Sequence, residues 1–215
     1  MRVRKVITRS GRGLRGKFPS KKIRAMVHWE CPLERHAIML FEMHPLVCSY
    51  QEQPSEEIYY DAEGIARSCY PDFLLRLVHG GEILVEIKRG VDLKRQSVTN
   101  KLELISLRFA EQERPYRILS EEQILREPLR SNLQELWEAQ RATSISPEID
   151  ASLASLCYTK RFTLKELTAI IGSQQLVLVA IATGRLRTDL EQPLAMESLV
   201  WSSKNVEAGD GAYKL

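Results

Sequence analysis

Two short runs hold the residues best suited to chemistry: Tyr70-Pro71-Asp72-Phe73-Leu74 and, shortly after, Leu84-Val85-Glu86-Ile87-Lys88. Read together they give P-D, a gap, then E-x-K. Each charge sits in a stretch otherwise apolar enough for a buried strand. Along residues 83–88 side chains alternate, so Glu86 and Lys88 leave one face and Val85 and Ile87 the other. Carboxylates and lysines are rarely buried without a partner. Two acids and a lysine at strand ends are therefore the ingredients of a metal-assisted phosphodiester hydrolysis site. Asp72 and Glu86 would hold Mg²⁺, with Mn²⁺ able to substitute, through hard oxygen ligands, and the Ile87 carbonyl is a plausible third oxygen. Lys88 would orient the attacking water or neutralise the charge that develops on phosphorus. The pattern is degenerate taken alone, and the competing reading is an edge strand with a wet polar face.

A third acid strengthens the case. Cys31-Pro32-Leu33-Glu34-Arg35-His36-Ala37-Ile38-Met39-Leu40-Phe41 has helical spacing, with Pro32 suited to a first turn. Glu34 then shares a face with Ala37, Ile38 and Phe41, where a carboxylate is out of place unless it meets a cation. A metal at Asp72 and Glu86 would supply one; an ion pair with Lys22 or Arg24 is the alternative.

From Trp29 to about Glu122 the chain resembles the TnsA family, the nuclease subunit of heteromeric, Tn-seven-like transposases within the PD-(D/E)xK superfamily. The residues that carry the resemblance are Leu33-Glu34 on a helix, Glu52-Gln53-Pro54, Pro71-Asp72-Phe73 and Glu86-Ile87-Lys88. After them come a helix around Lys101-Leu102-Glu103-Leu104 and a strand-like Pro115-Tyr116-Arg117-Ile118-Leu119. The resemblance implies a restriction-endonuclease-like α/β fold, a mixed sheet flanked by helices, that cuts the non-transferred (5′) strand at transposon ends. It implies that Glu34, Asp72 and Lys88 are catalytic, that Glu86 is the acid of the E-x-K strand, and that Gln53 is a candidate for aligning the site. It further implies double-stranded DNA as substrate, a TnsB-like DDE transposase that breaks the other strand, and a TnsC-like AAA+ ATPase regulator.

The rest of the chain must position these groups. At 215 residues it has room for one ordinary domain and a smaller second one. No apolar run approaches the roughly 20 residues of a membrane span. Cys31, Cys48, Cys69 and Cys157 lack C-x-x-C spacing, so free thiols in a reducing cytoplasm are expected, and the resemblance implies a bacterial, DNA-associated protein. His28, Cys31 and His36 cluster in sequence but match no common zinc spacing.

The net charge of +3 hides an asymmetry. Ten of the 31 basic residues fall in the first 24 positions with no acid, leaving 21 bases against 28 acids and a balance of −7 in the remainder. Residues 1–28 therefore read as a glycine-rich basic arm in which Arg9, Arg12, Arg15, Lys17, Lys21 and Lys22 bind phosphate, a solubilising tail being the alternative. Lys94, Arg95 and Lys101 lie just beyond the E-x-K strand, where they either meet the DNA backbone or line a solvated helix face.

Residues 29–142 form the expected nuclease domain, with strands at 47–53 and 57–60, a turn at Asp61-Ala62-Glu63-Gly64, and a hairpin turn at His79-Gly80-Gly81 between the Asp72 and Glu86 strands. A helix is expected from Ser97 to about Ala110 with Leu102, Ile105 and Phe109 on one face, and a capping box at Ser120–Gln123. Residues 143–215 read as a linker, a helix from Pro147 to Cys157, a capped helix from Thr163 to Gly172, an apolar helix from Gln174 to Ala182, a hairpin, and a polar tail beyond Val206. That is a winged-helix-like order, and the resemblance extends to it weakly. Its second helix is too apolar to read a DNA groove, which favours protein docking.

The reading is a metal-dependent DNA endonuclease of a transposition complex. The alternatives are a stand-alone restriction or repair nuclease of the same fold and a non-catalytic DNA-binding adaptor. Removing the basic arm is expected to weaken DNA binding and flatten its salt dependence, because fewer counterions are released. The single-turnover cleavage rate of the saturated complex should change little. Binding across a salt series checks this; an unchanged slope would mean that the arm contacts protein.

Overall fold

The computed structural model describes residues 14–156, 160–204 and 215. It is a mixed α/β protein of two compact units. One is the described chain up to Glu42 with Leu46–Ile124; the other is Met43–Pro45 with Leu125–Leu215. The division thus falls at 125 rather than at 143.

The first unit opens on a hairpin, β1 (Gly16–Ser20) and β2 (Ala25–Trp29). Part of the expected flexible arm is therefore ordered sheet. Phe18 and Ser20 from one strand and Val27 and Trp29 from the other are buried at period two. Gly16 is required here because a Cβ would overlap the Trp29 indole. Arg9 and Arg12 lie outside the described residues. Because β1 starts at Gly16, the clean test of the arm is a deletion ending at residue 13.

Next come α1 (Pro32–Met43), β3 (Val47–Glu52), a second hairpin of β4 (Glu57–Tyr60) and β5 (Ala66–Cys69), then β6 (Phe73–Leu77) and β7 (Glu82–Ile87). The short α2 (Gly90–Leu93), α3 (Gln96–Glu111), β8 (Tyr116–Leu119) and α4 (Glu121–Ile124) complete the unit. The main sheet has the order β3-β6-β7-β8, antiparallel except for the parallel β7–β8 pair. Both faces are covered, which is why Leu84 is buried as well as Val85 and Ile87. On one face Phe41 of α1 meets Phe73 with ring centroids 5.3 Å apart. On the other, Leu74 and Leu84 pack with Ile105 and Phe109 of α3 and with Tyr59 and Cys69 of the β4–β5 hairpin. The three α3 residues buried are Leu102, Ile105 and Phe109, the expected stripe. The Ser120 N–H donates to Gln123 Oε1 at 2.9 Å, one arm of the expected capping box, and Ser120 Oγ accepts the Glu122 N–H at 3.3 Å.

The second unit contains α5 (Leu129–Ala142), α6 (Pro147–Leu156), β9 (Phe162–Thr163), α7 (Leu164–Ile171), α8 (Gln174–Ala182), β10 (Leu186–Thr188) and β11 (Leu199–Ser202). Helix α5 was not anticipated as an element. Its buried Leu129, Leu133, Leu136 and Trp137 recur at i, i+4, i+7 and i+8. Buried Asn132 donates to the carbonyls of Leu190 and Gln192 and accepts from the Leu194 N–H, which ties the loop after β10 to this helix. The Thr163–Glu166 capping box is present, and Gly172 ends α7 in the left-handed region. Helix α8 is buried from Val177 to Ala182. The strands form a sheet in the order β10-β11-β9. The polar tail lies almost wholly outside the described residues. Among the described residues no single helix is long and apolar enough to cross a membrane.

One buried carboxylate joins the first hairpin to α1. Glu42, 3% exposed, accepts from Ser20 Oγ (2.6 Å), Tyr50 Oη (2.6 Å) and the main-chain N–H groups of Lys21 (2.8 Å) and Lys22 (2.9 Å). Tyr50→Phe deletes one donor to this buried acid and should cost about 2 kcal/mol. Urea unfolding of the full chain checks the figure.

Candidate active site

Strand register brings the charged residues together. Phe73 pairs with Val85 where β6 and β7 run side by side, and Asp72 immediately precedes that pair. There the Asp72 Oδ2 accepts the Ile87 N–H at 2.7 Å, taking the place of a ladder carbonyl. The Lys88 N–H instead donates to the Leu119 carbonyl at 3.0 Å, on the β8 side. N–H and C=O of one strand residue point the same way, so the Ile87 carbonyl faces the Asp72 side of β7. The Lys88 ammonium pairs with the Glu86 carboxylate and lies 3.4 Å from the Ile87 carbonyl.

Glu34 stands in the first turn of α1. Its Oε2 accepts the Glu30 N–H at 2.7 Å and its Oε1 lies 3.6 Å from Cys31 Sγ. It makes no ion pair with Lys22 or Arg24; its cationic neighbour is Lys88. Burial raises the Glu34 carboxyl above its ordinary value, against the Glu30 N–H and the Lys88 charge, which lower it. Asp72 is raised well above its ordinary value, by burial first, then by Glu86 and by Glu34, with Lys88 acting the other way. Burial alone would lower Lys88, but Glu86, Asp72 and Glu34 together hold it above the usual lysine range. Glu34, Asp72, Glu86 and Lys88 therefore share one electrostatic site, built from three separate elements.

Gln53 adjoins it. Its main-chain N–H donates to the Asp72 carbonyl at 2.8 Å, its φ is +41°, and its buried Oε1 has no hydrogen-bond partner among the described residues. Tyr116 is a neighbour that the sequence did not reveal, because nothing in a β-strand tyrosine marks it. Its phenol is pushed up by burial, then by Glu86 and Asp72, and its buried hydroxyl is unpartnered among the described residues.

A hard divalent cation fits this donor set. Among the described residues no three His, Cys, Asp or Glu side chains form a ready metal cage. Mg²⁺ does not require one, since it keeps several waters and takes one or two carboxylates. Asp72 has its second oxygen without a hydrogen-bond partner among the described residues, and mutual repulsion in the acid cluster is the condition a cation relieves. The His28, Cys31 and His36 grouping is dispersed over other partners: His28 pairs with Glu52 at 3.2 Å, Cys31 with Glu34, and His36 with the Pro32 carbonyl at 2.8 Å. Cys31, Cys48 and Cys69 are free thiols.

The expected phosphate-binding set needs one correction. Lys22 is committed to the carbonyls of Phe41 (2.9 Å) and Val47 (2.7 Å), and burial lowers its pKa to about 8 against the pull of Glu42. It serves the fold rather than a nucleic acid. Lys17, Lys21, Lys94 and Lys101 are exposed and Arg15 is half-buried. Arg95 pairs with Asp92 at 3.3 Å, and the Lys101 ammonium lies 5.9 Å from the Tyr59 ring centre.

No protein-family model matches the chain, and no curated protein matches it.

The raised Asp72 carboxyl has a consequence for stability. Its folded form holds a proton more tightly than the unfolded chain does, so its contribution falls as pH rises above the ordinary carboxylate range. In metal-free buffer Asp72→Asn should therefore raise Tm at pH 7, and the gain should shrink towards about pH 4 as the unfolded acid protonates. Melting curves in chelator across that range check it.

Proposed function

We propose that the chain is a metal-dependent DNA endonuclease, the TnsA-like subunit that cuts the 5′ strand at transposon ends. The observation that carries this reading is the convergence of Glu34, Asp72, Glu86 and Lys88 on one site at the ends of β6 and β7. In that reading the first unit is a restriction-endonuclease-like domain and the second is winged-helix-like. The buried α8 favours protein docking for the second unit over base readout.

A divalent cation bound there would polarise the phosphate and lower the cost of forming the attacking hydroxide. Asp72 and Glu86 would hold it, with the Ile87 carbonyl and Glu34 in reach. The Ile87 N–H fixes one Asp72 oxygen and so aims the other. Lys88, charged by its three acidic neighbours, offers a fixed ammonium to the negative charge that grows on phosphorus. Lys94, Arg95 and Lys101 follow in the chain and would meet the DNA backbone, the exposed Lys17 and Lys21 with them. A DDE transposase and an AAA+ regulator complete the assembly, in the bacterial cytoplasm.

Asp72→Asn and Lys88→Ala should each reduce 5′-strand cleavage by about 10²–10³-fold in Mg²⁺ while leaving partner binding intact. The assay is nicking of labelled transposon-end DNA with the companion transposase present. Normal rates in either variant would refute the site, and full activity without the transposase would favour a stand-alone nuclease.

A further inference from the structure

We propose that Gln53 is a positioning residue whose side-chain carbonyl accepts a hydrogen bond from water ordered beside Asp72. This rests on the metal-dependent hydrolysis proposed above and gives the site-aligning candidate Gln53 a specific atom and a specific partner.

Two features of Gln53 are unfavourable. Its backbone lies at φ +41°, a conformation that L side chains adopt at a cost and that glycine or asparagine would take more easily. The residue is 6% exposed, yet Oε1 has no donor among the described residues. A buried amide carbonyl left without a donor is costly, whereas a methionine of similar length would fill the space without that cost. Both features fall on the residue whose N–H is bonded to the Asp72 carbonyl, so they occur at the candidate site and not in a remote loop. The chain leaves β3 at Gln53, forms the β4–β5 hairpin, and re-enters the sheet at Asp72.

An orphaned acceptor selects the chemistry of its missing partner. It takes an O–H or N–H donor or a cation, and as a neutral amide it ranks behind the nearby carboxylates for direct contact with the cation. Phosphate diester oxygens only accept. The donor that the proposed reaction brings to Asp72 is water, either the hydration shell of the cation or the molecule that attacks phosphorus. A neutral carbonyl that takes one water proton orients the oxygen lone pair without adding a further negative charge to a site already crowded with three carboxylates. An acid at this position would raise Asp72 further.

The test uses the full chain in three forms: Gln53→Met, Gln53→Gly and, as the control, Asp72→Asn. Mn²⁺ binding is measured by calorimetry, and Tm is measured in chelator. The expected result is that both Gln53 variants weaken Mn²⁺ binding about 10-fold, the usual loss when a group supporting a metal site is removed. The Tm of Gln53→Met should hold or rise, because an unsatisfied carbonyl is gone; Gln53→Gly relieves the positive φ but opens a cavity, so only its Mn²⁺ affinity is read. A residue with a merely structural role would move the other way, losing Tm and leaving Mn²⁺ affinity alone; either change overturns the proposal. If Asp72→Asn weakens Mn²⁺ binding and Gln53→Met does not, the role of Gln53 fails alone. If the unmodified chain binds no Mn²⁺, or Asp72→Asn binds it equally well, the metal-dependent reading fails with it.

Discussion

Acids crowded at the ends of neighbouring strands repel one another, and a folded chain must hold them in place without letting them relax apart. Here the restraint is the main-chain N–H of Ile87 on the Asp72 carboxylate. It is short, it is charge-assisted, and it falls where the β6–β7 ladder would otherwise end. Around it the remaining geometry follows. Glu86 and Lys88 flank Ile87 in sequence and share a face, and the N–H of Lys88 is claimed by β8 on the far side. A one-residue slip of β7 would place Ile87 where Glu86 belongs and lose the whole arrangement.

Buried polar side chains held by fixed partners appear twice more, with different outcomes. Glu42 takes four donors and is a purely structural fastener between the first hairpin and α1. Asn132 does for the second unit what Glu42 does for the first, with an uncharged amide and three main-chain partners. Glu34 and Asp72 have fewer donors than their charge calls for. That deficit separates the candidate site from the structural networks: burial, and for Asp72 the neighbouring acids, raise both groups more than their few donors lower them.

The site residues were legible because each is a charged type set into an otherwise apolar run, and a charge in such a run must meet something. The α3 stripe and the two capping boxes were legible because their signals are local. The first hairpin was not: its glycines and lysines argue for open chain, and only long-range contacts with Glu42 and the Trp29 packing override that composition. Lys22 misled for the same reason, since its carbonyl partners are remote in sequence. Helix α5 carries a readable signal in the spacing of Leu129, Leu133, Leu136 and Trp137, and it belongs to the second unit, ahead of the linker-like composition at 143. The orphaned amide of Gln53 has no signature in sequence, because a missing partner is visible only in three dimensions.

The β4–β5 hairpin is closed at its root by the bond between Gln53 and Asp72, and anchored by Tyr59, Cys69 and the Glu57–Arg114 ion pair at 2.8 Å. Beyond that root the tip is free of such duties: Gly64 has open space around it and Ile65 is exposed. Closing a longer loop adds little entropy cost once its ends are pinned. The tip is thus a natural port for grafting a fluorophore or an affinity peptide, on a hairpin whose root adjoins the candidate site but whose far end can be lengthened without stretching the framework there.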